Sequence, residues 1–189
     1  MRCFGEGDPL YSAYHDEEWG RPQVTERQLY EKICLEGMQA GLAWITVLRK
    51  REAFREVFAG FDPARVVDID IEPLLQDARI IRARAKLQAC VTNAHAVRSM
   101  DGGLVDLIWS YRLDRPAPTA WEATTPASVE LSKRLKKLGF VFVGPTTVYS
   151  LMQACGVVND HLATCPVRDD VEAQRQADCP ARSPVKHRA

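Results

Sequence analysis

Apolar residues recur three and four positions apart along most of this chain, and no segment shows the sustained alternation that a half-buried strand requires. That pattern commits the chain to helices packed on helices. "VTERQLYEKICLEG" predicts a helix with Thr25 as its cap, Gln28 completing a capping box and Gly37 as its stop. "WITVLRKREAFREVFAG" sets Trp44, Val47, Leu48, Phe54 and Phe58 on one side and stops at Gly60. "DPARVV" pairs Asp62 as cap with Pro63 at the first helical position. Further helices are expected within "AKLQACVTNAHAV", "LVDLIWSY", "TPASVELSKRLKKLG" and "GPTTVYSLMQACG". The run "FVFVG" (140–144) is strand-like but too short to build a sheet. The expected fold is a compact all-α domain, residues 1–166, of about seven to nine helices. After Cys165 the periodicity ends. The polar, proline-punctuated segment 167–189 is expected to be a mostly disordered tail, with Cys179 and His187 as passengers.

Charge and cysteine usage narrow the function classes. Twenty-five basic and 25 acidic residues cancel, which argues against coating nucleic acid by bulk charge but leaves room for a local basic patch. No apolar run is long enough to span a membrane, and "MRCFGEGDPL" lacks the apolar core of a signal peptide, so a cytoplasmic protein is expected. Six cysteines in such a compartment point to thiols or metal rather than to a disulfide framework.

"NDHLATCP" (159–166) carries His161 and Cys165 four residues apart, a spacing that shares one face of a helix. Cys3 and His15 would complete a Cys2His2 set. Four protein ligands fill a tetrahedral zinc site and leave no position for water, so the metal would be structural, tying the two ends of the fold together. The pairs fit no standard finger spacing. From spacing alone, a helix-capping His161 and a loose terminal thiol at Cys3 explain them as well. His95, on the polar side of its helix, reads as a solvated surface residue.

"CLEGMQAGLAWITVL" places Glu36 among Gly37, Gly41 and Trp44, with Tyr11, Tyr14 and Trp19 nearby in sequence. A carboxylate among large aromatics is the composition of a pocket for a flat, electron-poor ring. Aromatics are more often core, and composition alone weighs toward that plainer reading. "DIEPLLQDARIIRARAKLQACV" reads as a short helix that Asp70 caps, a turn near residues 78–81 and a longer helix. Arg79, Arg82, Arg84 and Lys86 cluster at the start of that second helix, the end whose dipole disfavours cations. Free N–H groups there suit a phosphate. The cations of "SKRLKKLG" lie near a helix C-terminus, where dipole compensation alone accounts for them.

Five stretches in order, "DPLYSAYHDEEWG", "ICLEGMQAGLAWITVLRKRE", "IIRARAKLQA", "LSKRLKKLGFVFVGPTTVYSLMQACGVVNDH" and "HLATCP", resemble the 3-methyladenine DNA glycosylase I family of the helix–hairpin–helix superfamily. The resemblance covers Cys3 to about Pro166. It implies base-excision repair: hydrolysis of the N-glycosidic bond of 3-methyladenine in alkylated double-stranded DNA. It implies one structural Zn2+ on Cys3, His15, His161 and Cys165, and a base pocket of Tyr14, Trp19, Trp44 and Phe4 around a catalytic Glu36. It implies a DNA-backbone hairpin of Arg79, Ile80, Ile81 and Arg82, with Arg84 beside it. The chain departs from the family pattern at Phe4, where some members carry Trp, in a segment before Asp8 that is one residue shorter, at Met38 and Ala43, and at Arg79, where Gly is usual. Gly accepts positive φ there and Arg does so poorly, so either the hairpin geometry shifts or Arg79 is strained.

The implied chemistry asks little of an acid. N3-methylated adenine is already cationic, so its bond to deoxyribose is weak, and the protein has to extract and hold the base. Asp101 and Asp106 read as a turn residue and a helix-surface carboxylate. No lysine stands out as a Schiff-base nucleophile, so the expected enzyme is monofunctional, leaves an abasic site and acts as a monomer. The competing classes are a DNA-binding module without catalysis and a zinc hydrolase, the latter needing an open metal position.

Overall fold

The computed structural model describes residues 1–178 and residue 180, and among these the architecture is all helical, with nine α-helices and no strand. The order is α1 (Pro9–Glu17), α2 (Glu26–Gln39), α3 (Trp44–Val57), α4 (Pro63–Val66), α5 (Arg84–Arg98), α6 (Leu104–Trp109), α7 (Pro126–Lys137), α8 (Pro145–Ala154) and α9 (Arg168–Asp178). Single 3-10 turns at Ala59–Phe61 and Pro73–Gln76 join α3 to α4 and lead into α5.

α2 is the central element. It packs against α3, α5, α6 and α8, and nine of its fourteen residues are buried. A helix covered on nearly all sides has to be apolar nearly all round, and the buried set includes Leu29, Tyr30, Ile33, Leu35 and Met38. Full burial of each large aliphatic side chain contributes about 1.5–3 kcal/mol. Two charged residues, Lys32 and Glu36, share that interior. The Thr25–Gln28 capping box forms as expected.

The stop at Gly37 does not form. α2 runs on to Gln39, and Gly41, at φ 76°, turns the chain toward α3. Gly37 is a packing residue instead: a Cβ there would stand 3.3 Å from the Cβ of Phe142, tighter than ordinary contact. The absence of a side chain is therefore used for helix-to-loop approach, at the usual cost of about 1 kcal/mol in helix propensity.

Two further expectations are corrected. His161 and Cys165 are not on a helix; residues 159–165 form a loop. Segment 167–189 does not become disordered from its start, because Arg168–Asp178 form α9. Only Val171 supplies an apolar side chain to that helix's buried face, so the periodicity that identifies a helix was nearly invisible. The rest is polar: Arg175, 1% exposed, donates to the carbonyls of Gly156 (2.6 Å), Leu113 (2.9 Å) and Val157 (3.2 Å) and pairs with Glu172 (2.6 Å). Cys179 and His187 lie outside the described residues.

Other connections set the relative positions of the surfaces around α2. Lys86, in the first turn of α5, donates to the carbonyls of Met38 (2.9 Å) and Ala40 (2.5 Å), tying α5 to the turn that follows α2. Lys50 of α3 donates to the carbonyls of Ala78 and Arg79, both at 3.0 Å. The irregular segment between α6 and α7 is pinned by Arg115, which reaches Asp160 (2.9 Å), Glu122 (2.7 Å) and the Tyr149 hydroxyl (2.5 Å). Among the described residues no helix is long and apolar enough to cross a membrane.

Substituting Arg175 by Ala strands the carbonyls of Gly156 and Leu113, while that of Val157 keeps the Leu113 amide as its donor. The expected loss is about 3 kcal/mol of unfolding free energy, from the cost of unpaired buried polar groups, read by urea denaturation.

Candidate functional site

Four side chains from opposite ends of the chain meet beside α1. The ligating atoms of Cys3, His15, His161 and Cys165 all lie within 4.8 Å of one another. The Cys165 sulfur is 3.3 Å from His161 Nδ1 and 3.6 Å from His15 Nε2, and the Cys3 sulfur is 3.7 Å from His161 Nδ1. These are separations expected between neighbouring ligands of one tetrahedral ion, given metal–sulfur bonds of about 2.3 Å and metal–nitrogen bonds of about 2.0–2.1 Å. The outer nitrogens are also engaged: His15 Nδ1 lies 2.8 Å from an Asp16 carboxylate oxygen, and His161 Nε2 lies 3.1 Å from the Trp19 carbonyl. Such partners fix ring orientation and leave the inward nitrogens for a cation. Burial holds His161 down at about 4, so its ring is neutral, as a ligand must be. Burial pushes the Cys3 thiol up to about 11, which a cation among the ligands would reverse. The four residues are chemically fit to hold a metal ion, with two sulfurs and two nitrogens and no open position.

The same segments wall a cavity of about 310 Å³. Phe4 follows Cys3, Tyr14 precedes His15 on α1, and Trp19 lies just past the end of α1. All three line the cavity with Trp44, the first residue of α3, and Glu36 of α2. The rings are tilted or edge-on to one another, with Tyr14 to Trp44 at 5.3 Å and Phe4 to Trp19 at 5.0 Å. This leaves faces available to a flat ligand. A smaller cavity of about 220 Å³ shares Glu36, Gln39 and Ser150 with the first and opens toward Gly41 and Leu42.

Glu36 is 5% exposed. Among the described residues its carboxyl has no hydrogen-bond partner, and neither has the Tyr14 hydroxyl. The indole nitrogen of Trp44 is also buried without one. Native interiors pair such groups, and those left unpaired around one cavity suit a polar ligand. Burial pushes the Glu36 carboxyl up to about 7, while the Lys32 ammonium pulls it back.

Several wall residues carry no sequence motif. Gln39 lies three residues beyond Glu36 on α2, and Ser150 and Gln153 are three apart on α8. Helical spacing from Glu36 would have found the first. Trp121, 54% exposed, stands at the cavity mouth 6.2 Å from Trp19. Lys32 lies behind the wall, 5.0 Å from the Tyr14 ring centre.

The predicted hairpin residues lie between Pro73–Gln76 and α5. Asp70 does not cap the turn at Pro73–Gln76: Glu72 stands at the cap position without a side-chain cap, and Asp70 accepts from the Glu72 amide one step earlier. Arg79 pairs with Asp77 (2.8 Å) and Glu56 (2.6 Å), and Arg84 pairs with Glu72. Arg82 is exposed, Ile81 is half-buried, and Ile80 is buried in the core. Outside glycine, positive φ occurs at Ala59, Phe61 and Phe142 among the described residues. Arg79 is not strained, so the turn adopts a geometry that an L side chain accepts. No side chain caps the N-terminus of α5, which leaves its first amides open to an acceptor. His95, Asp101 and Asp106 are exposed, as their surface readings require.

The chain matches the family model described as methyladenine glycosylase over residues 4–169. It is 52% identical over 170 residues to a protein of Escherichia coli (strain K12) named DNA-3-methyladenine glycosylase 1, covering 84% of this chain and 91% of that one. Among solved structures it is similar to a crystal structure of 3-methyladenine DNA glycosylase I (TAG), with TM-score 0.83 and 49% identity over 88% of this chain and 98% of that one. It is also similar to a variant of such an enzyme in complex with 3-methyladenine, with TM-score 0.81 and 34% identity over 87% of this chain and 95% of the other.

The titration of Glu36 has a stability consequence. The folded chain holds this proton more tightly than the unfolded chain, whose carboxyl titrates near 4.5. The group's contribution is therefore full below 4.5 and lost as pH rises through about 7. Glu36→Gln cannot ionise. It should raise the melting temperature relative to the wild type at about pH 8 and change it little at about pH 4, as thermal melts at both values would show.

Proposed function

The chain belongs to the methyladenine glycosylase family, and we propose that Glu36, Tyr14 and Trp44 are the residues with which it releases 3-methyladenine from alkylated DNA. It is a DNA-3-methyladenine glycosylase of base-excision repair, a hydrolase of N-glycosidic bonds. The observation that carries the assignment of residues is Glu36: a buried carboxyl without a protein partner, between aromatic walls, at the back of a cavity.

The extruded base enters beside Tyr14 and stacks on Trp44, with Trp19 and Phe4 forming the neighbouring wall. The ionised carboxyl of Glu36 accepts the N–H groups of the electron-poor purine. Unmodified adenine lacks the positive charge and keeps a stronger glycosidic bond. Attraction to the cationic base alone would favour the bound substrate as much as the transition state. Glu36 has to act where charge moves: as the bond lengthens, positive charge passes from base to sugar, and a carboxylate fixed in a dry pocket keeps hold of the departing ring meanwhile. Water then attacks the sugar, leaving an abasic site without strand cleavage. Lys32 is engaged by Glu18 and buried, which supports a monofunctional reaction.

Double-stranded DNA is gripped through the turn at Arg79, Ile80, Ile81 and Arg82 and the uncapped start of α5, with Arg84 beside it. Ile80 contributes its backbone rather than its buried side chain. The ion pairs of Arg79 and Arg84 with Asp77, Glu56 and Glu72 exchange for phosphate contacts. One structural Zn2+ is held by Cys3, His15, His161 and Cys165. It clamps the N-terminal segment to loop 159–165 and takes no part in the reaction. The enzyme works as a cytoplasmic monomer, and the domain expected over residues 1–166 extends through α9.

The first test is chromatographic detection of free 3-methyladenine released from methylated duplex DNA. The wild type should release it, and Glu36→Gln should do so on the order of 10²-fold more slowly while remaining folded. Equal rates would remove Glu36 from the chemistry. For the metal, purified Cys165→Ser should contain less zinc by elemental analysis and melt at a lower temperature. A Cys165→Ser protein with wild-type stability and no zinc would refute the clamp.

A further inference from the structure

Lys32 is a buried charge beside the cavity to which the reaction as described gives no part. It lies on α2, is 3% exposed, and its ammonium is paired with Glu18 at the end of α1. Glu18 is shared with Arg51 of α3, at 2.6 Å and 2.8 Å. Arg51 also reaches the exposed Glu52 at 3.9 Å, so Glu18 is the buried anion that Lys32 and Arg51 share. The ammonium sits 5.0 Å from the centre of the Tyr14 ring and 6.0 Å from that of Trp44, so it backs two of the aromatics that line the cavity. Lys32 also precedes Glu36 by four residues on α2, which puts both side chains on the same helix face.

We propose that Lys32 is a positioning residue for base release: its buried ammonium is the fixed counter-charge for Glu36 and the support on which Tyr14 and Trp44 rest. The inference rests on the glycosylase function proposed above. The groups around it are few. Glu18 and Tyr14 come from α1 and its end, Arg51 from α3, Glu36 from α2 itself, and the buried Cys155 thiol from the residue after α8. Among these, Lys32 is the charge that pulls the Glu36 carboxyl toward its ionised form, against burial. Its pairing with Glu18 keeps it from closing an ion pair with Glu36. The carboxyl therefore feels a nearby cation and still has its oxygens free for the base. A direct Lys32–Glu36 pair would have occupied the group the base requires.

The test compares wild type with Lys32→Met, Lys32→Arg and Glu18→Gln. Two readouts are followed against pH: the 13C resonance of the Glu36 side-chain carboxyl, assigned with Glu36→Gln, and the rate of 3-methyladenine release. In Lys32→Met the carboxyl midpoint and the acid limb of the rate profile should both move to higher pH, by roughly one unit. Lys32→Arg should restore both toward wild type. Glu18→Gln, which leaves Lys32 without its partner, should move both to lower pH, and it decides the matter if Lys32→Met does not fold. A merely structural lysine would change the melting temperature without moving either midpoint. A wild type that releases no base overturns the function on which the inference rests. A wild type that does, beside folded Lys32→Met or Glu18→Gln proteins unmoved in both readouts, overturns this inference alone.

Discussion

The cavity's aromatic wall stands where two distant pieces of chain meet, at Cys3, His15, His161 and Cys165. Phe4 is adjacent to one of these residues and Tyr14 to another, and the carbonyl of Trp19 lies against the His161 ring. α1 has nine residues, too few to be stable as a helix by itself. Its place depends on Asp8 and Pro9 at its start, on Arg2 holding Asp16, and on this junction. Remove the junction and three of the cavity's aromatic walls lose their anchorage together.

Against that wall stands a side chain whose burial opposes folding. An isolated carboxyl in a dry interior is costly, and Glu36 meets the cost by taking up its proton more readily and by lying near a lysine. α2 can carry the penalty because most of its other buried residues are apolar and packed on four neighbouring helices. On the role proposed for it, function and stability pull in opposite directions at this residue, while the buried apolar residues of α2 work for stability.

How much of this was legible depended on where the physics is local. Thr25 with Gln28, and Asp62 with Pro63, mark helix starts through contacts of two or three residues, and both are found where the sequence puts them. Asp8 with Pro9 is the same signal at α1. Gly37 misleads because a glycine that ends a helix and one that admits a neighbour look alike until Phe142 is seen beside it. α9 escapes because Arg175 does by hydrogen bonding what apolar periodicity does elsewhere. The four cluster residues were readable as a set through family likeness. The helix imagined for His161 and Cys165 was not needed, since a loop brings them together as well. Trp121 and Gln153 reach the site only through tertiary packing, which no local spacing encodes, whereas Lys32, four residues before Glu36 on α2, was within reach of helical spacing.

Lys86 gives the molecule something like a caliper. Its ammonium fastens the beginning of α5 to the carbonyls of Met38 and Ala40, at the exit of the helix that carries Glu36. The two jaws, the uncapped start of α5 on one side and the cavity mouth on the other, keep a set opening whatever the flanking loops do. On the function proposed above, a strand seated on the first jaw would present a nucleotide to the second. The span that Lys86 fixes between two helices would then bear on which position along the strand is inspected.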